Sequence, residues 1–134
     1  MTAEVRITGL RDFQRGLKEM DSDLPKALRL GLNDAADIIV SDARPRIPRR
    51  SGRAKGSVKA RSTQKAARVV GGGNRAPYYP WLDFGGQIPS GPRRPFLKDG
   101  RYIYNAYFRN RGEFRELLEE NLVKVAKQAG LEVT

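Results

Sequence analysis

Residues 22–43, "SDLPKALRLGLNDAADIIVSDA", decide the fold. Leu24, Leu28, Leu32, Ala35, Ile39 and Ala43 recur at steps of 4, 4, 3, 4 and 4 residues, which puts them on one face of an α-helix. Ala36, Ile38 and Val40 widen that face. Ser22 is the expected N-cap, with Asp23 and Pro25 in a first turn that tolerates both. Arg44 precedes Pro45, whose ring disfavours α geometry in the residue before it, so the helix is expected to end there. A helix of about 20 residues with so broad an apolar face needs further layers to cover it.

The flanking segments supply those layers. In "AEVRIT" (3–8), Val5 and Ile7 alternate with Glu4 and Arg6, the pattern of a half-buried strand. Leu10, Phe13, Leu17 and Met20 then predict a short helix after Gly9. "SVKARS" and "AARVVGG" read as two strands of a hairpin joined near Gln64. "GGGNRAP" (71–77) reads as a flexible connection, and "QIPSGPRRP" (87–95) as an irregular loop. Between Phe96 and Phe108 the pattern fits helix or strand. From Glu113, the residues Phe114, Leu117, Leu118, Leu122, Val125 and Ala129 mark a C-terminal helix. Its acids Glu113, Glu116, Glu119 and Glu120 come early and Lys124 and Lys127 late, as a helix dipole favours. Gly130 is the expected terminator. The expectation is one α+β domain over residues 1–134: a small, mostly antiparallel or mixed sheet packed against a long central helix and a C-terminal helix.

Composition restricts the chemistry. The 134 residues contain no cysteine and no histidine, which removes disulfides, thiol nucleophiles, histidine-ligated metals and histidine bases. Apolar residues make up 39%, low enough to expect part of the chain to rely on a partner or to lie in long exposed loops. "MTAEVRITGL" lacks the apolar core of a signal peptide, and no apolar run is long enough to span a membrane. Neither a membrane nor a cofactor is expected.

The formal charge of +11 is local. Residues 44–68, "RPRIPRRSGRAKGSVKARSTQKAAR", hold ten Lys or Arg and no acid, and the rest of the chain is nearly balanced. The segment reads as a basic loop or hairpin arm, whose candidate contact residues are Arg44, Arg46, Arg49, Arg50, Arg53, Lys55, Lys59 and Arg61. Like charges at this density repel one another. The fitting partners are DNA, an acidic protein surface, or an acidic patch on another copy of the chain. A solvated loop is the plain alternative.

Several motifs invite an enzymatic reading and fail it. "DFG" (83–85) lacks the phosphate loop, strand lysine and catalytic loop of a kinase. "GGGN" (71–74) lacks the Lys-Ser or Lys-Thr of a P-loop. Asp34, Asp37 and Asp42 could hold Mg²⁺ for a nuclease, yet they fall on the polar side of the helix, where acids are ordinarily solvated. Tyr78, Tyr79, Trp81 and Phe84 could stack on bases or form a packed corner or interface anchor. No catalytic constellation is expected.

Three stretches stand in a telling order. "PRRSGRAKGSV" (48–58) resembles a Pro-x-x-Thr/Ser-Gly-x-Leu-x-x-Ser-Val/Ile signature. "YPWLDFGG" (79–86) resembles Tyr-x-x-x-Glu-Phe-Gly, and "RRPFLKDG" (93–100) resembles Arg-Pro-Phe-Leu-x-Pro-Ala. Preceded by a strand ending in Gly-Leu and a long Ala-rich helix, this arrangement resembles the tail-completion or tail-terminator family of long-tailed double-stranded DNA bacteriophages, over about residues 3–129. The chain departs from that pattern at Ser51 (for Thr), Ala54 (for Leu), Asp83 (for Glu) and Asp99–Gly100 (for Pro-Ala).

The resemblance implies a structural virion subunit, not an enzyme, in the tail and neck, assembled in the cytoplasm of a bacterial host. It would form a ring, six-fold in the family, that caps the head-proximal end of the tail tube, stops its polymerisation and docks to the head–tail connector or stopper. The implied structural residues are Pro48, Ser51, Gly52, Ser57, Tyr79, Trp81, Asp83, Phe84, Gly85, Pro95, Phe96 and Leu97. On this reading Ser51 and Gly52 shape a turn, and Tyr79, Trp81 and Phe84 pack the short central segment. Gly85 and Gly86 let the chain reverse, and Pro95, Phe96 and Leu97 anchor loop 87–95 to the core. The basic segment would project to meet packaged double-stranded DNA or an acidic neighbour, Glu113–Glu120 of an adjacent copy being one candidate. The alternative is a freestanding basic double-stranded-DNA-binding protein. A ribosome-associated role finds no RNA-module signature.

Overall fold

A computed structural model describes residues 1–49, 52–89 and 91–131. The chain runs β1 (Thr2–Arg6), α1 (Leu10–Met20), α2 (Leu24–Ala43), a 3₁₀ turn (Arg44–Arg46), α3 (Arg53–Ser57), β2 (Lys59–Ala60), β3 (Ala66–Val70), α4 (Tyr79–Phe84) and α5 (Ile103–Gln128). The three strands form one antiparallel sheet of order β1-β3-β2, with Thr2 opposite Val70 and Lys59 on the other side of Val70. The fold is α+β, as expected from sequence.

The central helix is the keel. Leu28, Leu32, Ala35, Ala36, Ile39 and Ala43 are all nearly inaccessible to solvent. They meet α5 on one side and the inner residues of β2 and β3 on the other. A second close approach comes from polar residues. Asn121 on α5 is buried and donates to the Gly31 carbonyl of α2 at 2.9 Å, and a side chain at Gly31 would press on Asn121.

Four sequence expectations need correction. The α2 N-cap is Asp23, not Ser22, because Asp21 bends the preceding turn by accepting from the Asp23 N–H at 3.0 Å. The α2 helix ends at Ala43 as expected, but Arg44 keeps α geometry (φ −53°, ψ −49°) despite Pro45, and the chain tightens into the 3₁₀ turn. Residues 45–55 are not simply a loop, since α3 begins at Arg53. The C-terminal helix starts at Ile103, ten residues before Glu113, so the glutamates occupy its middle and do not complement its N-terminal dipole. Its end is as expected. Gly130 is left-handed (φ 78°), Gly130 N–H reaches the Lys127 carbonyl, and Leu131 N–H reaches that of Ala126.

The hairpin around Gln64 is present, although β2 is only two residues long. Arg61 N–H to the Arg68 carbonyl (2.9 Å) and Thr63 N–H to the Ala66 carbonyl (3.0 Å) continue the pairing toward the turn.

Candidate functional site

Residues in and beside the three stretches that carry the resemblance meet in space. Pro48, Gly52 and Ala54 form one wall of a groove of about 590 Å³, and Tyr78, Trp81 and Leu82 of α4 and its lead-in form a second. Ile88, Pro92 and Arg94 of the long loop close it. Trp81 turns its indole N–H to the Gly86 carbonyl at 3.1 Å, and the Arg94 guanidinium lies over its ring, 5.7 Å from the centroid.

Beneath the groove is a buried polar node. Asp83 is completely buried, and its carboxylate accepts from the Tyr79 hydroxyl (2.8 Å) and from the backbone N–H groups of Arg101 (2.6 Å) and Tyr102 (3.0 Å). This carboxylate ties α4 to the start of α5, where a helix N-terminus favours negative charge. Burial and the neighbouring Asp83 charge push the Tyr79 phenol far above its ordinary value, so Tyr79 is a hydrogen-bond donor at any pH the fold survives. Gly100 (φ 70°) makes room for the node, because a Cβ there would collide with Asp83 Oδ1. Within "DFG", then, the aspartate is a structural fastener.

Gly85 (φ 86°) lets the chain reverse, and a Cβ there would strike the Pro95 carbonyl. Gly86 and Arg94 then exchange backbone hydrogen bonds at 2.7 and 2.9 Å, and Leu97 N–H donates to the Phe84 carbonyl at 2.7 Å. The Arg101 guanidinium donates to the carbonyls of Asp83 and Pro95. These contacts anchor the loop by its backbone. The anchoring expected of Pro95, Phe96 and Leu97 runs through the backbone of Pro95 and Leu97 and not through the Phe96 and Leu97 side chains, which are 69% and 44% exposed. Tyr79 is buried as expected, whereas Trp81 and Phe84 are half-buried, Phe84 resting at a tilt on Tyr104.

The described residues of the basic segment do not project as an arm. Ile47, Ala54, Ser57 and Val58 are buried, and Arg44 turns inward to donate to the Val58 carbonyl at 2.7 Å. Ser57 Oγ donates to the Ala54 carbonyl and accepts from Gly72 N–H at 2.9 Å, which fastens α3 to the glycine turn. Gly52 is left-handed (φ 80°), as the motif implies. The expected roles of Arg50 and Ser51 lie outside the described residues. Apolar anchors inside the segment hold it down and divide its cations. Arg49 and Arg53 are exposed beside the groove, Lys55 is half-buried on α3, and Lys59 and Arg61 sit on the sheet. Arg46 pairs with Asp42 at 3.3 Å.

Asp42 also receives Arg109 and Asn110 of α5, each at 2.8 Å. Burial alone would raise its carboxyl, but the hydrogen bonds from Arg109, Asn110 and Arg46 outweigh burial and hold it below the ordinary carboxylate value. Asp37 moves the other way, raised by burial and by Asp34, with Arg44 opposing. Among the described residues no group of three or more acids converges to hold a metal ion. No helix of the described chain is long and apolar enough to cross a membrane.

Sequence reasoning missed Tyr102, Gly100 and Arg101 as partners of Asp83, and Asn121 as a core residue. Asn121 carried a signal, because it falls on the same helical stripe as Phe114, Leu118 and Val125. Gly100 and Arg101 carried none, since their role comes from long-range contact. No protein-family model, curated protein or solved structure matches the chain.

Proposed function

We propose that this chain is a structural, non-catalytic subunit of a ring at the head-proximal end of a long-tailed bacteriophage tail. There it ends polymerisation of the tail tube and joins the tail to the connector or stopper of the head. One observation carries most of the support: residues in and beside the three motif stretches, 48–58, 79–86 and 93–100, line a single groove, the last contributing Arg94.

A closed ring uses head-to-tail contacts, which need two different complementary surfaces on each copy. The chain offers candidates for both. The groove is flanked by Arg49 and Arg53, and next to it Phe96 and Leu97 stand exposed on a loop stiffened by backbone hydrogen bonds. Elsewhere, Glu113, Glu116, Glu119 and Glu120 are exposed on α5. In the proposed ring the cationic rim of one copy faces the acidic stripe of the next. The rival reading, a freestanding double-stranded-DNA-binding protein, draws on the ten cations of residues 44–68.

Size-exclusion chromatography with light scattering, followed by electron microscopy in the presence and absence of tail tubes, separates the two. The ring reading predicts rings, free or seated on tube ends. A monomer that ignores tube ends and binds duplex DNA tightly overturns it.

A further inference from the structure

We infer that the open face of the sheet is a sequence-independent contact surface for the phosphate backbone of duplex DNA. This surface is distinct from the groove, and the inference does not depend on the ring.

Strand geometry creates the face. Ala3, Val5, Ala67, Val69 and Ala60 point to the core, so their alternate neighbours point away from it. The outward set is Thr2, Glu4 and Arg6 on β1, Arg68, Val70 and the buried Ala66 on β3, and Lys59 on β2, with Arg61 continuing that row beside Arg68. At one end the face deepens into a cleft of about 510 Å³, to which Arg11, Lys65 and Thr63 contribute. Face and cleft together carry six cations, Arg6, Arg11, Lys59, Arg61, Lys65 and Arg68, around one carboxylate, Glu4.

Glu4 leaves most of this charge uncompensated. It pairs with Arg6 at 3.3 Å and lies 3.0 Å from Arg68 Nε, which is buried and lacks a properly aligned hydrogen bond. The cations are spread out. Residues two apart on a strand are separated by roughly 7 Å and neighbouring strands by roughly 5 Å. Such a field fits a line of phosphates better than a single small anion.

The face also lacks what a protein partner would use. Protein interfaces are built around apolar and aromatic anchors. The large exposed hydrophobics, Met20, Leu30, Tyr78, Phe96, Leu97, Phe108 and Leu131, all belong to other elements. Without an aromatic side chain the face offers no stacking platform for single-stranded bases. A polar, strongly cationic surface is the character of a duplex-backbone interface.

The test is anisotropy titration of the full chain against a labelled mixed-sequence duplex at several salt concentrations. The triple variant Lys59→Ala/Arg61→Ala/Lys65→Ala removes three exposed cations from the face. It should flatten the slope of log K against log salt by about 2.7, and Arg61→Ala alone by about 0.9. The control Lys18→Ala/Lys26→Ala/Lys127→Ala removes equal charge from the helices and should leave the slope unchanged. Melting temperatures within the wild-type range establish that the variants fold. The inference is overturned if the wild-type chain ignores duplex at low salt, or if the face variants keep the wild-type slope. It is also overturned if the control flattens the slope as much, or if poly-glutamate competes as well as unlabelled duplex at equal charge, which would make the face a site for acidic protein.

Discussion

Replacing Asp83 with alanine removes the acceptor on which α4 and the start of α5 converge. Tyr79 hydroxyl and Tyr102 N–H would then be left unpaired in surroundings closed to water. Each such orphan costs about 1–3 kcal/mol. The half-exposed Arg101 N–H can turn to solvent and adds little. The expected loss is about 4 kcal/mol, a large share of the roughly 5–15 kcal/mol that holds a domain of this size. With a urea dependence of about 2 kcal/mol per molar, the unfolding midpoint should fall by about 2 M. Asp83→Asn keeps an acceptor for the two N–H groups, and Tyr79 hydroxyl can rotate to accept from the new amide. That variant loses only charge assistance, about 1–2 kcal/mol. Tyr79→Phe with Asp83→Asn completes a double-mutant cycle, in which a coupling of about 1 kcal/mol is expected. Trp81, the single tryptophan, lies between Tyr79 and Asp83 on α4 and reports unfolding by fluorescence. If Asp83→Ala costs less than about 1 kcal/mol with unchanged cooperativity, the node is not the fastener described.

Glycine positions give a matched pair. Gly100→Ala forces a Cβ into Asp83 Oδ1 at positive φ and should destabilise by more than about 2 kcal/mol. Gly112→Ala, in open space midway along α5, should stabilise by about 0.5–1 kcal/mol, both read from urea midpoints. The acid limb of the stability curve should depend on Asp42. Its folded carboxyl lies below the ordinary carboxylate value, so its contribution is present above that ordinary value and is lost as pH falls through the folded one. Asp42→Asn should therefore flatten stability against pH on the acid side. Asp37 has the opposite sign. Its charge is disfavoured in the fold, so Asp37→Asn should stabilise at neutral pH by an amount that vanishes in acid. Phe96→Ser should leave the stability within about 0.5 kcal/mol of the wild type, because the loop is held by its backbone, yet on the proposed ring reading it should impair tail completion.

The elements that proved readable in the sequence are those whose burial is periodic. Leu24 to Ala43 and the strand pair around Gln64 announced themselves because every third, fourth or second side chain faces the core. The boundaries set by contacts distant in sequence were not readable. Ile103 begins α5 because Asp83 receives the two preceding N–H groups, a contact across about twenty residues that periodicity cannot show. Arg44 retains α geometry before proline while its side chain is tied to Val58. The basic segment misled for a related reason. Its charge was conspicuous, while the residues that pin it, Ile47, Ala54 and Val58, are isolated apolar side chains without a period. Its ten cations therefore looked like one arm, whereas among the described residues packing turns Arg44 inward, pairs Arg46 with Asp42, leaves Arg49 and Arg53 beside the groove and puts Lys59, Arg61 and Arg68 on the sheet.

The central claim concerns the end of a tail tube, and tube length tests it most directly. Purified chain added to its polymerising tube protein should arrest elongation, with label for the chain at one end of each tube as a ring. Arg49→Glu/Arg53→Glu should weaken that arrest without loss of folding. Tubes that grow to the same length with and without the chain, and carry no label at their ends, would contradict the account.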